Sequence, residues 1–134
     1  MKKEPRGIRL ANPGNLRKGD DWKGLAEQQL DPDFCTFISP QYGIRALAKL
    51  LRQYQVKYGL NTVKKIINRY APPNENNTTS YVNSVARVLG VKVDDVIDTF
   101  DNFTLLVLVR GIIKHENGEC PYGDDVIQES ISML

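Results

Sequence analysis

Apolar residues recur at helical spacing from about residue 40 onward. Ile44, Leu47, Ala48, Leu51, Tyr54 and Tyr58 follow an i, i+3, i+4, i+7 pattern, which predicts one buried stripe of a helix. Ser39-Pro40 opens it, with Ser39 as N-cap and Pro40 at the first helical position, and Gly59 ends it. Arg45, Lys49 and Arg52 lie off the stripe and read as a solvated face. Asn61-Thr62 caps a second helix with Val63, Ile66, Ile67 and Tyr70 inward; Pro72-Pro73 stops it, and a polar loop runs from Asn74 to Asn77. A third helix starts at Thr79 or Ser80, buries Val82, Val85, Ala86 and Leu89, and closes at Gly90. Lys92 to Asp98 predicts a short helical turn. A further helix runs from about Asn102 to His115, before Asn117-Gly118, and Gly123 to Met133 forms the last.

The first third of the chain lacks this period. Residues 1–15 read as irregular, with a turn at Asn12-Pro13-Gly14-Asn15: Pro13 fixes φ, Gly14 can take φ > 0, and both asparagines can bond local backbone. Short strands are expected between Leu16 and Ile38. The best is Phe34-Cys35-Thr36-Phe37-Ile38, and Trp22-Lys23-Gly24 falls in a hairpin loop. The expected fold is α+β and mostly α-helical: a single domain over residues 1–134 with a small β-hairpin region and a cleft between hairpin and helices.

Composition narrows the partners. In 134 residues, 41% hydrophobic and 25% charged positions suit a globular domain with one core. A formal charge of +2, without a basic stripe interleaved with aromatics, gives no argument for nucleic acid. The longest apolar run, Leu105 to Val109, is far short of the roughly 20 residues of a membrane span, and reads as core. Met1-Lys2-Lys3-Glu4-Pro5-Arg6 is not followed by the apolar stretch of about 7–15 residues that a signal peptide needs. The chain is therefore expected to be made in the bacterial cytoplasm and to leave, if it does, by lysis or inside a particle. Cys35 and Cys120 show no CxxC spacing and read as free thiols. One histidine, His115, excludes HExxH and multi-histidine metal sites, so no metal or cofactor is expected.

Candidate chemistry centres on Glu116. It continues the stripe of Leu105, Leu108, Val109 and Ile112 at a helix C-terminus. Desolvation and the negative end of the helix dipole both raise a carboxyl pKa there, as a glycosidase general acid requires. The plain alternative is an acid rotated outward at a frayed helix end. Glu75, in a solvated loop, suits a stabilising or sugar-binding carboxylate, or a capping residue. Asn12, Asn15 and Asn76 are candidate partners for N-acetyl and hydroxyl groups, and also turn formers. Trp22 is either a sugar platform or a plug between hairpin and helices; Tyr81 is either cleft-lining or core-edge; His115 reads as structural.

The segment Ile112-Ile113-Lys114-His115-Glu116-Asn117-Gly118, followed by Pro121-Tyr122, resembles the catalytic stretch of lysozyme-like lytic transglycosylases and related glucosaminidases. In those families the Glu serves as general acid and then general base. Asn12 to Leu16, Trp22 to Gly24, Phe34 to Phe37, Ser39 to Ile44, Tyr70 to Pro72 and Tyr81 to Val85 are similar to the glucosaminidase pattern, in which a tyrosine faces the acid. Taken together, Arg6 to Arg9, Asn12 to Asn15, Pro72 to Asn76 and His115 to Gly118 resemble phage virion-associated, lysozyme-like structural proteins over nearly the whole chain. The resemblance implies a lysozyme-like domain. The Glu helix follows the asparagine turn here and precedes it in ordinary transglycosylases, so the implied order is circularly permuted.

The expected activity is cleavage of the β-1,4 bond between N-acetylmuramic acid and N-acetylglucosamine, with Glu116 as acid. Peptidoglycan glycan strands and other virion proteins are the expected partners. The alternatives are a non-catalytic virion or wall-binding protein of the same shape, and a peptidoglycan endopeptidase.

Overall fold

The computed structural model describes residues 4–71 and 77–134. Among these residues six helices follow in order: α1 (Arg6–Arg9), α2 (Pro40–Tyr58), α3 (Val63–Tyr70), α4 (Thr78–Leu89), α5 (Asn102–Asn117) and α6 (Asp124–Ser132). Pro72 to Asn76, with the candidates Glu75 and Asn76 and the expected double-proline stop, lies outside the described residues.

α5 is the axis of the core. Leu105 to Val109, Ile112 and Ile113 are all buried, so the helix is apolar on nearly every side, as a helix enclosed by others must be. α1, α2, α4 and α6 pack on it. The α2 stripe meets it with Ile44, Leu47, Ala48 and Leu51, all fully buried, and α3 adds Val63, Ile66 and Ile67. Each large side chain sequestered this way contributes about 1.5–3 kcal/mol.

Helix ends follow local chemistry. Thr62 Oγ1 accepts from Lys65 N at 3.1 Å, and Asp101 Oδ2 accepts from Thr104 N at 2.9 Å. The cap of α4 is Asn77, whose Oδ1 accepts from Ser80 N at 3.3 Å, so that helix begins at Thr78 rather than Thr79 or Ser80. Gly59 and Gly90 close α2 and α4 in the left-handed region, at φ 65° and 79°.

Several expectations need correction. Residues 6–9 form α1 instead of irregular chain. Tyr58, at the end of the α2 stripe, is 54% exposed. Arg45 is buried and donates to Met133 O at 3.2 Å, while Arg52 donates to Thr99 O at 3.0 Å and Asn102 Oδ1 at 3.1 Å; neither is simply solvated. Within Lys92 to Asp98 a single turn forms at residues 92–95, where Asp95 N donates to Lys92 O at 3.1 Å and Lys92 N to Asp95 Oδ2 at 2.8 Å, and no helix follows.

The expected hairpin shrinks to two isolated antiparallel bridges among the described residues, Arg17 with Phe34 and Leu25 with Phe37. Phe34 to Phe37 therefore pairs with two earlier segments by single contacts: Cys35 N donates to Leu16 O at 3.0 Å and Ala26 N to Thr36 O at 2.9 Å. Side chains take the backbone groups that a ladder would use. Gln29 Nε2 donates to Ala26 O and Thr36 O at 2.8 and 2.9 Å, and Thr36 N donates to Gln29 Oε1 at 2.8 Å. A second small cluster, Leu16, Trp22, Cys35, Phe37 and Ala46, fastens this lobe to α2. Cys35 and Cys120 are free thiols. No helix of the described residues is long and apolar enough to cross a membrane, and none of their His, Cys, Asp and Glu groups forms a cluster suited to a metal ion.

Candidate functional site

The Asn12–Asn15 turn and the end of α5 are stitched together. Asn15 N donates to Asn12 O at 2.9 Å, closing the turn, and the positive φ falls on Asn15 at 53° rather than on Gly14. Gly14 matters for space: a Cβ there would lie 2.8 Å from the Tyr70 hydroxyl, which donates to Gly14 O. Asn117 Nδ2 donates to Pro13 O at 2.7 Å and to Ile113 O at 2.9 Å, tying the last turn of α5 to the loop. The amide oxygens of Asn15 and Asn117 are buried without a hydrogen-bond partner and converge on Gly7, where a Cβ would sit 2.9 and 2.5 Å from them. Only a glycine lets α1 approach this closely.

That stitching places Glu116 beside Asn15 and Tyr81. Asn15 Nδ2 lies 3.4 Å from Glu116 Oε1, and the Tyr81 hydroxyl lies 3.5 Å from Oε2. Both are long contacts, at the weak limit of hydrogen bonding. Tyr81 is buried and stacks on His115, with ring centroids 4.2 Å apart and planes 9° from parallel. Burial raises the Glu116 pKa above its ordinary 4.5, against the opposing pull of Asn15, Tyr81 and the Arg6 charge. Burial, reinforced by the Glu116 charge, pushes the Tyr81 and Tyr70 hydroxyls far up, so both keep their protons. Burial and the Lys114 charge lower the His115 pKa.

Glu116 lines a cavity of about 460 Å³ with Arg6, Asn15, Arg17, Phe34 and Tyr70 among its walls. A second cavity of about 320 Å³ shares Leu16, Arg17, Leu50 and Tyr54 with it, so the two form one trench. Among the described residues Glu116 is the sole carboxylate facing the first cavity, and Asp20 the sole one facing the second.

The expected site residues fare differently. Glu116, Asn15 and Tyr81 come together. Asn12 is fully buried; Nδ2 donates to Leu16 O and Cys35 O, both at 2.9 Å, and Oδ1 accepts from Leu16 N at 3.0 Å. It offers no group to the trench and acts as a clip between loop segments. Trp22 is 8% exposed, packed as a plug against α2, with an edge on the second cavity. Arg6, Arg17, Phe34, Tyr54 and Tyr70 line the trench although sequence reasoning assigned them no role there. No sequence signal marks them, since Arg6 and Arg17 lie far from Phe34 along the chain.

Fold and site together define a class: a small, mostly helical domain with one half-buried acid in an open trench. No family profile matches the chain. Protein P5 of Pseudoalteromonas phage PM2 is 41% identical over 128 residues, covering 92% of this chain and 78% of that protein. The chain belongs to the family of phage protein P5.

Proposed function

We propose that the chain is a phage virion component that meets the host cell wall and cuts its glycan strands with Glu116 as the single general acid and base. Membership in the P5 family supports the phage setting. The observation that carries the enzymatic reading is Glu116 itself, half-buried at the trench with a raised pKa. A carboxylic acid whose pKa is raised keeps its proton to higher pH and is better suited to protonate a leaving oxygen.

In this reading Glu116 donates its proton to the glycosidic oxygen as the bond to the anomeric carbon breaks. The substrate's own N-acetyl oxygen meets the positive charge on that carbon, since no second carboxylate lines this cavity among the described residues. The Glu116 carboxylate then takes a proton from water, giving hydrolysis, or from a hydroxyl of the same sugar, giving an anhydro product. Asn15 and the Tyr81 hydroxyl, donors on either side, hold the carboxylate once it is charged. The lysozyme-like, permuted relation implied by the sequence motifs belongs to the same proposal.

A second reading is a non-catalytic virion protein whose trench only holds the wall. The Arg6 charge acting on Glu116, which lowers its pKa, favours it. Purified sacculi decide between the two. The enzymatic reading expects soluble fragments with new sugar ends from the wild type, and at least about a hundredfold less from Glu116→Gln. Sedimentation with sacculi without release of fragments supports the holding role. New peptide ends, seen by mass spectrometry, convert the reading to an endopeptidase.

A further inference from the structure

Among the described residues, none of the guanidinium groups lining the trench forms an ion pair. Arg6 sits 3.6 Å and Arg17 4.8 Å from the centre of the Phe34 ring. At the other end Arg69 lies 4.5 Å from the Tyr58 ring and 5.7 Å from the Tyr54 ring, and Lys57 lines the same cavity. The one ion pair among the described residues, Arg110 with Asp124, involves none of these. Arg6, Arg17 and Arg69 therefore lie against aromatic faces without an ion-pair partner among the described residues, and Arg69 also bonds the Tyr54 hydroxyl. Phe34 and Tyr54 are themselves buried, so the trench offers charge rather than bare aromatic surface. Asp20 and Glu116 are the opposing charges on its walls.

The geometry points to a substrate that carries carboxylates: we propose that Arg6 and Arg17 beside Glu116, and Arg69 with Lys57 along the trench, read acidic substituents projecting from a glycan strand. The trench follows α2 from Leu50 to Tyr58, about 12 Å at helical rise, enough to engage more than one sugar. Planar guanidinium groups match carboxylates by paired hydrogen bonds. This inference takes a glycan as occupant from the reading above and adds what selects it.

Binding by the Glu116→Gln protein, which leaves its probe uncut, tests it. The probes are soluble peptide-free wall strands with free lactyl carboxylates, the same strands amidated, and an oligothymidylate. Free-acid strands should bind at least about fivefold more tightly than amidated ones. Adding Arg17→Gln or Arg69→Gln should each remove about fivefold of affinity for the free acid and leave the amidated strands unchanged. Equal affinity for the two strands overturns the proposal, as do arginine variants that weaken both alike, or tighter binding to the oligothymidylate. Carboxylate preference without Glu116-dependent cleavage sinks the enzymatic reading alone. Cleavage with equal affinities sinks this inference alone, and no binding to any strand sinks both.

Discussion

The α5-centred bundle and the lobe from Leu10 to Ile38 are stable for different reasons. The bundle is held by repeated burial of Leu, Ile and Val on helix faces, with backbone groups satisfied inside each helix. The lobe has only two bridges and depends on side chains, chiefly Asn12, Gln29, Asp31 and Thr36, bonding backbone that has no ladder. Apolar contacts in the bundle are many and individually replaceable. Polar clips in the lobe are few and each is specific. Glu116 lies on the seam, carried by the bundle and aimed by the lobe.

The comparison can be broken most forcefully in the bundle. Ile112→Ala empties a fully buried site and should cost about 2–5 kcal/mol by chemical denaturation, with the whole molecule unfolding together. Gly43→Ala strikes where the two regions touch, since a Cβ there would lie 2.0 Å from Ala11 O. It should cost about 3 kcal/mol, and hydrogen exchange should show the lobe lifting from α2 before the bundle opens. Asn12→Ala leaves Leu16 N, Leu16 O and Cys35 O short of a partner and should cost about 1–3 kcal/mol. Faster exchange should be confined to residues 16–18 and 33–38, sparing α5.

The smallest effect concerns pH. Because the folded Glu116 pKa is raised, the folded chain keeps a proton that the unfolded chain releases near 4.5. Its contribution to stability is full below that value and falls as pH rises through the folded pKa. Glu116→Gln, which does not titrate, should therefore gain on the wild type as pH rises from 4.5 through the raised folded value, as thermal melts across that range would show. A difference that stays flat would place the carboxylate in free solvent.

The helical part of this fold was legible because its apolar period repeats along each element and needs no distant partner to be seen. Glu116 was legible for the same reason, as the continuation of the α5 stripe. The lobe was not. Phe34 to Ile38 has strand composition, yet Gln29 accepts the Thr36 N–H and Asn12 donates to the Cys35 carbonyl, a competition visible only when the chain is folded. Asn12 and Asn15 look alike in sequence, and the left-handed backbone at Asn15 sends one to Glu116 while the other is buried. Arg6, Arg17 and Arg69 come from separate parts of the chain and line the same trench at different points, so no local pattern could assemble them.

The direct test of the account is the titration of the Glu116 carboxyl, followed by carbon NMR in the wild type. A midpoint above the ordinary 4.5 is the predicted result, because burial at the trench is what raises it. A midpoint at or below 4.5 in the intact protein would contradict it, leaving an ionised carboxylate and no acid for the proposed chemistry.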